Sequence, residues 1–108
     1  MTEGEAIQSL AALAQETRLR VFRHLVRAEP AGATPGQLAE ALACSTTALS
    51  FHLKELHHAG LVACVRSGRH LIYRASVPAM NGLIGYLTDH CCQGQPCLDS
   101  AAVDCQVC

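Results

Sequence analysis

Five of the seven cysteines crowd into residues 91 to 108, and Cys91, Cys92 and Cys97 stand close enough in the chain to meet at one point. Thiolates are soft ligands, so three that converge hold a thiophilic ion and exclude hard, oxygen-seeking metals. The same thiols can instead serve a redox switch. A secreted disulfide framework would spread its cysteines along the chain, whereas here only Cys44 and Cys64 lie outside the cluster, and both are expected to be small core residues. Cys105 and Cys108 have the C-x-x-C spacing of a zinc or disulfide pair, but they stand apart from the trio and are read as accessory thiols.

The local sequence says how the trio meets. Neighbouring residues on a regular helix point about 100° apart, so Cys91 and Cys92 share an ion only where the helix frays. Gly94 and Pro96 place that fraying just past the pair, and Gln93-Gly94-Gln95-Pro96 then folds Cys97 back within one subunit at small loop-closure cost.

The elements that position this cluster follow from periodicity. Ile7, Leu10, Ala11, Leu13 and Ala14 form the stripe of a first helix. Thr17 is a candidate cap for a second, which carries Leu19, Val21, Phe22, Leu25 and Val26 until Glu29-Pro30 stops it. Thr34-Pro35 opens a short third helix through Leu38, Ala39 and Leu42, and Ala43-Cys44 is the turn after it. Ser45 caps a fourth, with Leu49, Leu53 and Leu56 on its inner face and Gly60 at its end. Leu61 to Val65 and His70 to Ala75 are β-prone runs around Arg66-Ser67-Gly68-Arg69, a hairpin. Ser76 and Pro78 start a last helix through Met80, Leu83, Ile84 and Leu87, expected to run to the cysteine pair.

These elements predict a mostly α protein with a β-hairpin wing, a winged helix-turn-helix: four helices, two strands and a fifth helix. Residues 1–92 make one folded domain, and residues 93–108 a cysteine-containing tail that would complete the thiol site. The chain has 108 residues, half of them apolar, with few aromatics and no tryptophan. A domain this small buries only about two thirds of its unfolded surface, and a dimer would enlarge its core. No apolar run is long enough for a membrane span and no secretory signal pattern opens the sequence, so the expectation is a cytoplasmic protein without a membrane partner.

The formal net charge of -1 hides a basic face. Residues 45–75 carry Lys54, Arg66, Arg69 and Arg74 against Glu55, and residues 16–27 carry Arg18, Arg20, Arg23 and Arg27 against Glu16. Local positive charge of this kind suits a polyanion. A helix rich in short polar side chains, preceded by a tight turn and followed by a basic hairpin, is what major-groove docking requires.

Ser50, His52, Leu53, Lys54, Leu56, Gly60, Leu61 and Val62 fall on an S-x-H-L-K-x-L-x-x-x-G-L-V pattern, and the segment from Leu38 to Val62 closely resembles the helix-turn-helix of the ArsR/SmtB family of metal-responsive repressors. Thr17-Arg18-Leu19-Arg20 extends the likeness to the second helix, so that it covers about residues 10 to 90. The resemblance implies an arsenic-responsive repressor that binds operator DNA with an inverted repeat as a homodimer. Ser45, Thr46, Thr47, Ser50 and Phe51 would lead the recognition helix, Lys54 would touch phosphate, and Arg66 and Arg69 would hold backbone or enter a minor groove. His52 has two readings, contact with DNA or packing within the helix pair.

Arsenic(III) favours three thiolates in a pyramid, which Cys91, Cys92 and Cys97 supply; methylarsenite and antimony(III) are ligands of the same class. A zinc sensor of this family would need Asp, His and Glu ligands along the last helix, where only Asp89 and His90 stand side by side, and the third helix lacks the family's C-x-C arsenic motif. The alternative is a repressor that senses zinc, cadmium or redox state through the same cysteines. No nucleophile and base stand at a recognisable spacing and no phosphate-binding glycine loop occurs, so enzymatic turnover is not expected.

Overall fold

The computed structural model describes residues 1–90. Its order is α1 (Glu3–Leu13), α2 (Glu16–Ala28), α3 (Pro35–Leu42), α4 (Thr46–His58), β1 (Val62–Ser67), β2 (His70–Ala75) and α5 (Val77–Thr88). This is the winged helix-turn-helix that the periodicity predicts.

Side-chain caps set most helix starts. The Thr34 hydroxyl accepts from the Gln37 backbone N–H at 3.1 Å while the Gln37 side chain accepts from the Thr34 N–H at 2.9 Å, a reciprocal capping box ahead of Pro35. Ser45 caps α4 by accepting from Ala48 N–H, and Ser76 caps α5 by accepting from Ala79 N–H. The cap of α2 is not Thr17 but Gln15, whose side-chain oxygen accepts from Arg18 N–H at 2.8 Å. The longer amide reaches the same donor that a hydroxyl would, and the helix therefore starts earlier.

The core joins Ala12 of α1, Val21, Phe22 and Leu25 of α2, Leu38 of α3 and Leu49, Leu53 and Leu56 of α4 with Leu61, Val62 and Ala75 at the root of the hairpin. Burying a leucine of this kind stabilises the fold by about 2 kcal/mol. The first helix packs differently from its apolar stripe. Ala6, Ser9 and Ala12 are buried, whereas Ile7 and Leu10 face outward. Small residues allow α1 to lie close to the domain, and the larger ones are left on the opposite face.

The strands pair antiparallel, from Val62 opposite Ala75 to Ser67 opposite His70, leaving Gly68 and Arg69 as a two-residue turn. Gly68 takes a positive φ of 63°, which tight hairpin turns demand of their first residue. A third rung comes from the loop before α3: Ala33 and Tyr73 exchange backbone bonds of 2.9 and 2.8 Å. Only glycine fits beside that rung, since at Gly32, with φ of 72°, a Cβ would stand 2.5 Å from the Tyr73 carbonyl oxygen.

Two expectations are corrected here. The last helix ends at Thr88 rather than reaching the cysteine pair. Thr88 turns its hydroxyl back onto the Ile84 carbonyl at 2.8 Å, Asp89 leaves helical geometry, and His90 has a positive φ of 58°. Cys44 and Cys64 are half-buried rather than core residues. Cys44 packs at the rim of the core in the α3–α4 turn, and Cys64 lies opposite Tyr73 in the hairpin.

Candidate nucleic-acid interface

The fourth helix divides cleanly. Leu49, Leu53 and Leu56 are sealed in the core, which fixes the helix's rotation and leaves Thr46, Thr47, Ser50, Phe51 and Lys54 exposed. Phe51 is 55% exposed, a large apolar ring displayed among hydroxyls. That combination suits a major groove, where hydroxyls bond base edges or phosphate and an apolar ring meets thymine methyls. Ser45, at the helix start, is exposed as well, with its hydroxyl already accepting the capping bond.

His52 sits behind this row. Its Nδ1 accepts from Arg18 Nε at 3.2 Å, and burial first, then the nearby Arg18 charge, hold its pKa below the usual histidine value. The Arg18 guanidinium also lies 5.6 Å from the Phe51 ring centroid, and the Phe51 and His52 rings meet edge to face at 5.7 Å. Arg18 is the residue whose part at this face sequence reasoning missed. Its signal was available, a cation in the first turn of a helix where the dipole disfavours positive charge.

At the hairpin, Arg66 and Arg69 are exposed, and among the described residues neither they nor Lys54 form an ion pair. Arg74 belongs to the same basic stretch but is bound by Glu29, through Nε at 3.3 Å and Nη2 at 2.7 Å. It anchors the wing to the end of α2. The free positive charge of the wing is thus carried by Arg66 and Arg69. Cys91, Cys92, Cys97, Cys105 and Cys108 lie outside the described residues. Among the described residues no group of three or more His, Cys, Asp or Glu side chains is placed to hold a metal ion, and no helix is long and apolar enough to cross a membrane.

Residues 13–65, which span α2 to β1 and so the whole helix-turn-helix, match the family model of a helix-turn-helix domain. No curated protein sequence matches at a significant level. Among solved structures, the chain is similar to an ArsR-like transcriptional regulator from Rhodococcus sp. RHA1, with 33% identity over 78% of this chain and 76% of that one and a TM-score of 0.70. It is similar to a possible transcriptional regulator for arsenical resistance, with 30% identity over 74% of this chain and 80% of that one and a TM-score of 0.64. HlyU from Vibrio cholerae N16961 is 29% identical over 86% of this chain and 100% of its own, with a TM-score of 0.67. These relatives are regulators rather than enzymes, and the residues matched by the family model include the polar helix α4. The chain belongs to the ArsR family of winged helix-turn-helix transcriptional regulators.

Proposed function

We propose that this protein is a homodimeric repressor that reads an inverted-repeat operator with α4 and the wing, and that arsenic(III) bound by Cys91, Cys92 and Cys97 releases it. The observation that carries the reading is the pairing of an outward polar face on α4 with a thiol trio that follows α5 within a few residues. Ser45, Thr46, Thr47, Ser50, Phe51, His52 and Lys54 meet one major groove, and Arg66 and Arg69 meet the flanking backbone or minor groove.

The dimer is supported by what the single chain leaves uncovered. Ile7 and Leu10 of α1 and Ile84, Tyr86 and Leu87 of α5 are all exposed. A two-fold contact through the first and last helices buries them and sets two recognition helices on successive major grooves. A neighbour from Mycobacterium bovis with the same fold is itself a homodimeric winged helix-turn-helix domain.

Arsenic is supported by the three-thiolate donor set and by the likeness to a possible regulator of arsenical resistance. Release requires that the DNA-bound form hold the ion less well, and a coupling of about 3 kcal/mol weakens DNA binding more than a hundredfold. The domain line falls with this division: residues 1–92 bind DNA and the partner, and residues 93–108 complete the thiol site.

The test is to select bound duplexes from a randomised pool with the native chain, then titrate the complex with arsenite, methylarsenite and antimonite. Single changes of Cys91, Cys92 or Cys97 to Ser abolish release by arsenite, while the Cys105 and Cys108 double variant releases normally. A trio variant that still dissociates removes that residue from the site. Methylarsenite needs only two thiolates, so it separates Cys97 from the pair. A second reading, regulation by thiol oxidation, is favoured by the likeness to reduced HlyU of Vibrio cholerae, 29% identical over 83% of this chain. Release by peroxide in the absence of any metal selects it.

A further inference from the structure

We propose that Arg18 is a positioning residue of the DNA-reading face: it locks His52 in the tautomer protonated at Nε2, so that the recognition helix offers DNA one fixed donor there, and it braces Phe51 beside it. The proposal rests on α4 being the recognition helix, and it assigns a role to a residue of α2.

The chemistry follows from donor and acceptor counting. Arg18 Nε carries a hydrogen and has no lone pair to give, so the contact at 3.2 Å requires that His52 Nδ1 be the acceptor. The imidazole is then neutral with its proton on Nε2. The two ring nitrogens point to opposite sides, so the remaining N–H points away from Arg18. In an unbound histidine both tautomers are populated, and a base edge or phosphate oxygen would meet a donor in one and an acceptor in the other. Fixing the donor removes that ambiguity before DNA arrives.

Arg18 stands at an unfavourable place for a cation. It lies in the first turn of α2, beside the positive end of the helix dipole, and the one carboxylate of that turn, Glu16, is engaged by Arg20 at 2.6 Å. What offsets the position is the pair on α4, the His52 lone pair and the face of Phe51 at 5.6 Å. The bond joins residues 34 apart in sequence and ties the side chain nearest the exposed ring to the body of the domain. Phe51 is 55% exposed, and Arg18 and His52 lie against its ring.

Two isosteric substitutions separate the functions of the ring. In His52→Asn the amide oxygen occupies the place of Nδ1, keeping the acceptor for Arg18 and losing the distal donor. In His52→Gln the amide nitrogen reaches the place of Nε2, keeping the donor and losing the acceptor. With a duplex selected from a randomised pool by the native chain and a random-sequence duplex beside it, His52→Asn is expected to lose about tenfold in discrimination between the two, and His52→Gln about threefold. Arg18→Lys keeps the charge without the planar fork and is expected to lose about as much as Arg18→Met. Proton–nitrogen correlation spectra of the free native chain show the Nε2–H tautomer for His52, and both Arg18 variants show a mixture.

Retained discrimination in His52→Asn with loss in His52→Gln overturns the donor role. Full discrimination in Arg18→Lys overturns the positioning role, as does an Nδ1–H tautomer in the native spectrum. The spectra need no DNA. A native chain that selects no sequence therefore overturns the reading of α4 itself, while a wrong tautomer with intact selection overturns the role of Arg18 alone.

Discussion

Arg74, on the second strand of the wing, grips Glu29 at the end of α2 through two nitrogens, at 3.3 and 2.7 Å. The glutamate side chain is only 12% exposed, so the pair is fixed on one side and open to solvent on the other. Its Arg66 and Arg69 neighbours carry no such partner among the described residues. Arginines of one basic hairpin thus divide between holding the wing and, in the function proposed, touching DNA.

Glu29→Gln should therefore leave the fold cooperative and raise hydrogen exchange in β2 ahead of the rest of the domain. DNA affinity should fall a few-fold, since the wing is less well placed although its exposed arginines are intact. Exchange rates by mass spectrometry and a binding titration check both halves.

Gly32→Ala tests the rung that joins the wing to α3. The positive φ and the close Tyr73 carbonyl both oppose a methyl group there, and strain at a left-handed residue costs about 1 to 3 kcal/mol. Denaturant unfolding should show a loss at or above the upper end of that range, with the slope unchanged.

Changing Lys54, Arg66 or Arg69 to Ala should weaken binding to selected and random duplexes by similar factors. Each lost phosphate contact lowers the slope of log affinity against log salt by about 0.9, and by twice that in a dimer. A change in sequence preference with an unchanged slope would place the residue on a base instead.

The outward faces of α1 and α5 can be tested with Leu10→Asp and Leu87→Asp. Both side chains are exposed in the single chain, so the substitutions should sediment as folded monomers. DNA affinity should drop about a hundredfold or more, the scale on which joined modules gain over single ones. The native protein should unfold at a temperature that rises with concentration, and the variants should not.

The His52 bond predicts the sign of one pH effect. Burial, and then Arg18, hold its pKa below the ordinary histidine value of about 6.5, so the folded state favours the neutral ring more than the unfolded chain does. Stability from this group is complete above about pH 6.5 and is lost as pH falls through the lower, folded value. The melting temperature of the native chain should therefore drop on acidification more than that of His52→Asn, which has no proton to gain at that position.

The parts of the fold that were legible in the sequence are those governed by local chemistry. Thr34-Pro35, Ser45 and Ser76 announce helix starts because a cap is made within three or four residues, and Leu49, Leu53 and Leu56 announce an inner face because they share one period. What was not legible depends mostly on partners distant in sequence: the Glu29–Arg74 bridge and the Arg18–His52 bond required the tertiary arrangement. The cap at Gln15 is local, but a glutamine is a less usual cap than the Thr17 hydroxyl beside it. On α1 the apolar stripe was visible, but whether Ile7 and Leu10 faced the domain or away from it was decided by the small residues opposite. The outward face of α4 was legible as a set, since core leucines fix the helix's rotation. The thiol trio was legible only as spacing, and the end of α5 at Thr88 moves the helix terminus ahead of it.

The backbone bonds between Ala33 and Tyr73, and between Ser76 N–H and the Leu61 carbonyl at 2.8 Å, have a mechanical consequence. They lash the root of the hairpin to the loop before α3 and to the cap of α5. The root of the wing is thereby tied to the body that carries α3 and α4, a single reading head. In the proposed dimer, α5 is a boom roughly 18 Å long fixed to that head. In the function proposed, what an inducer would alter is the stance of the two heads, their spacing and splay, and an operator whose half-sites match one stance would reject the others.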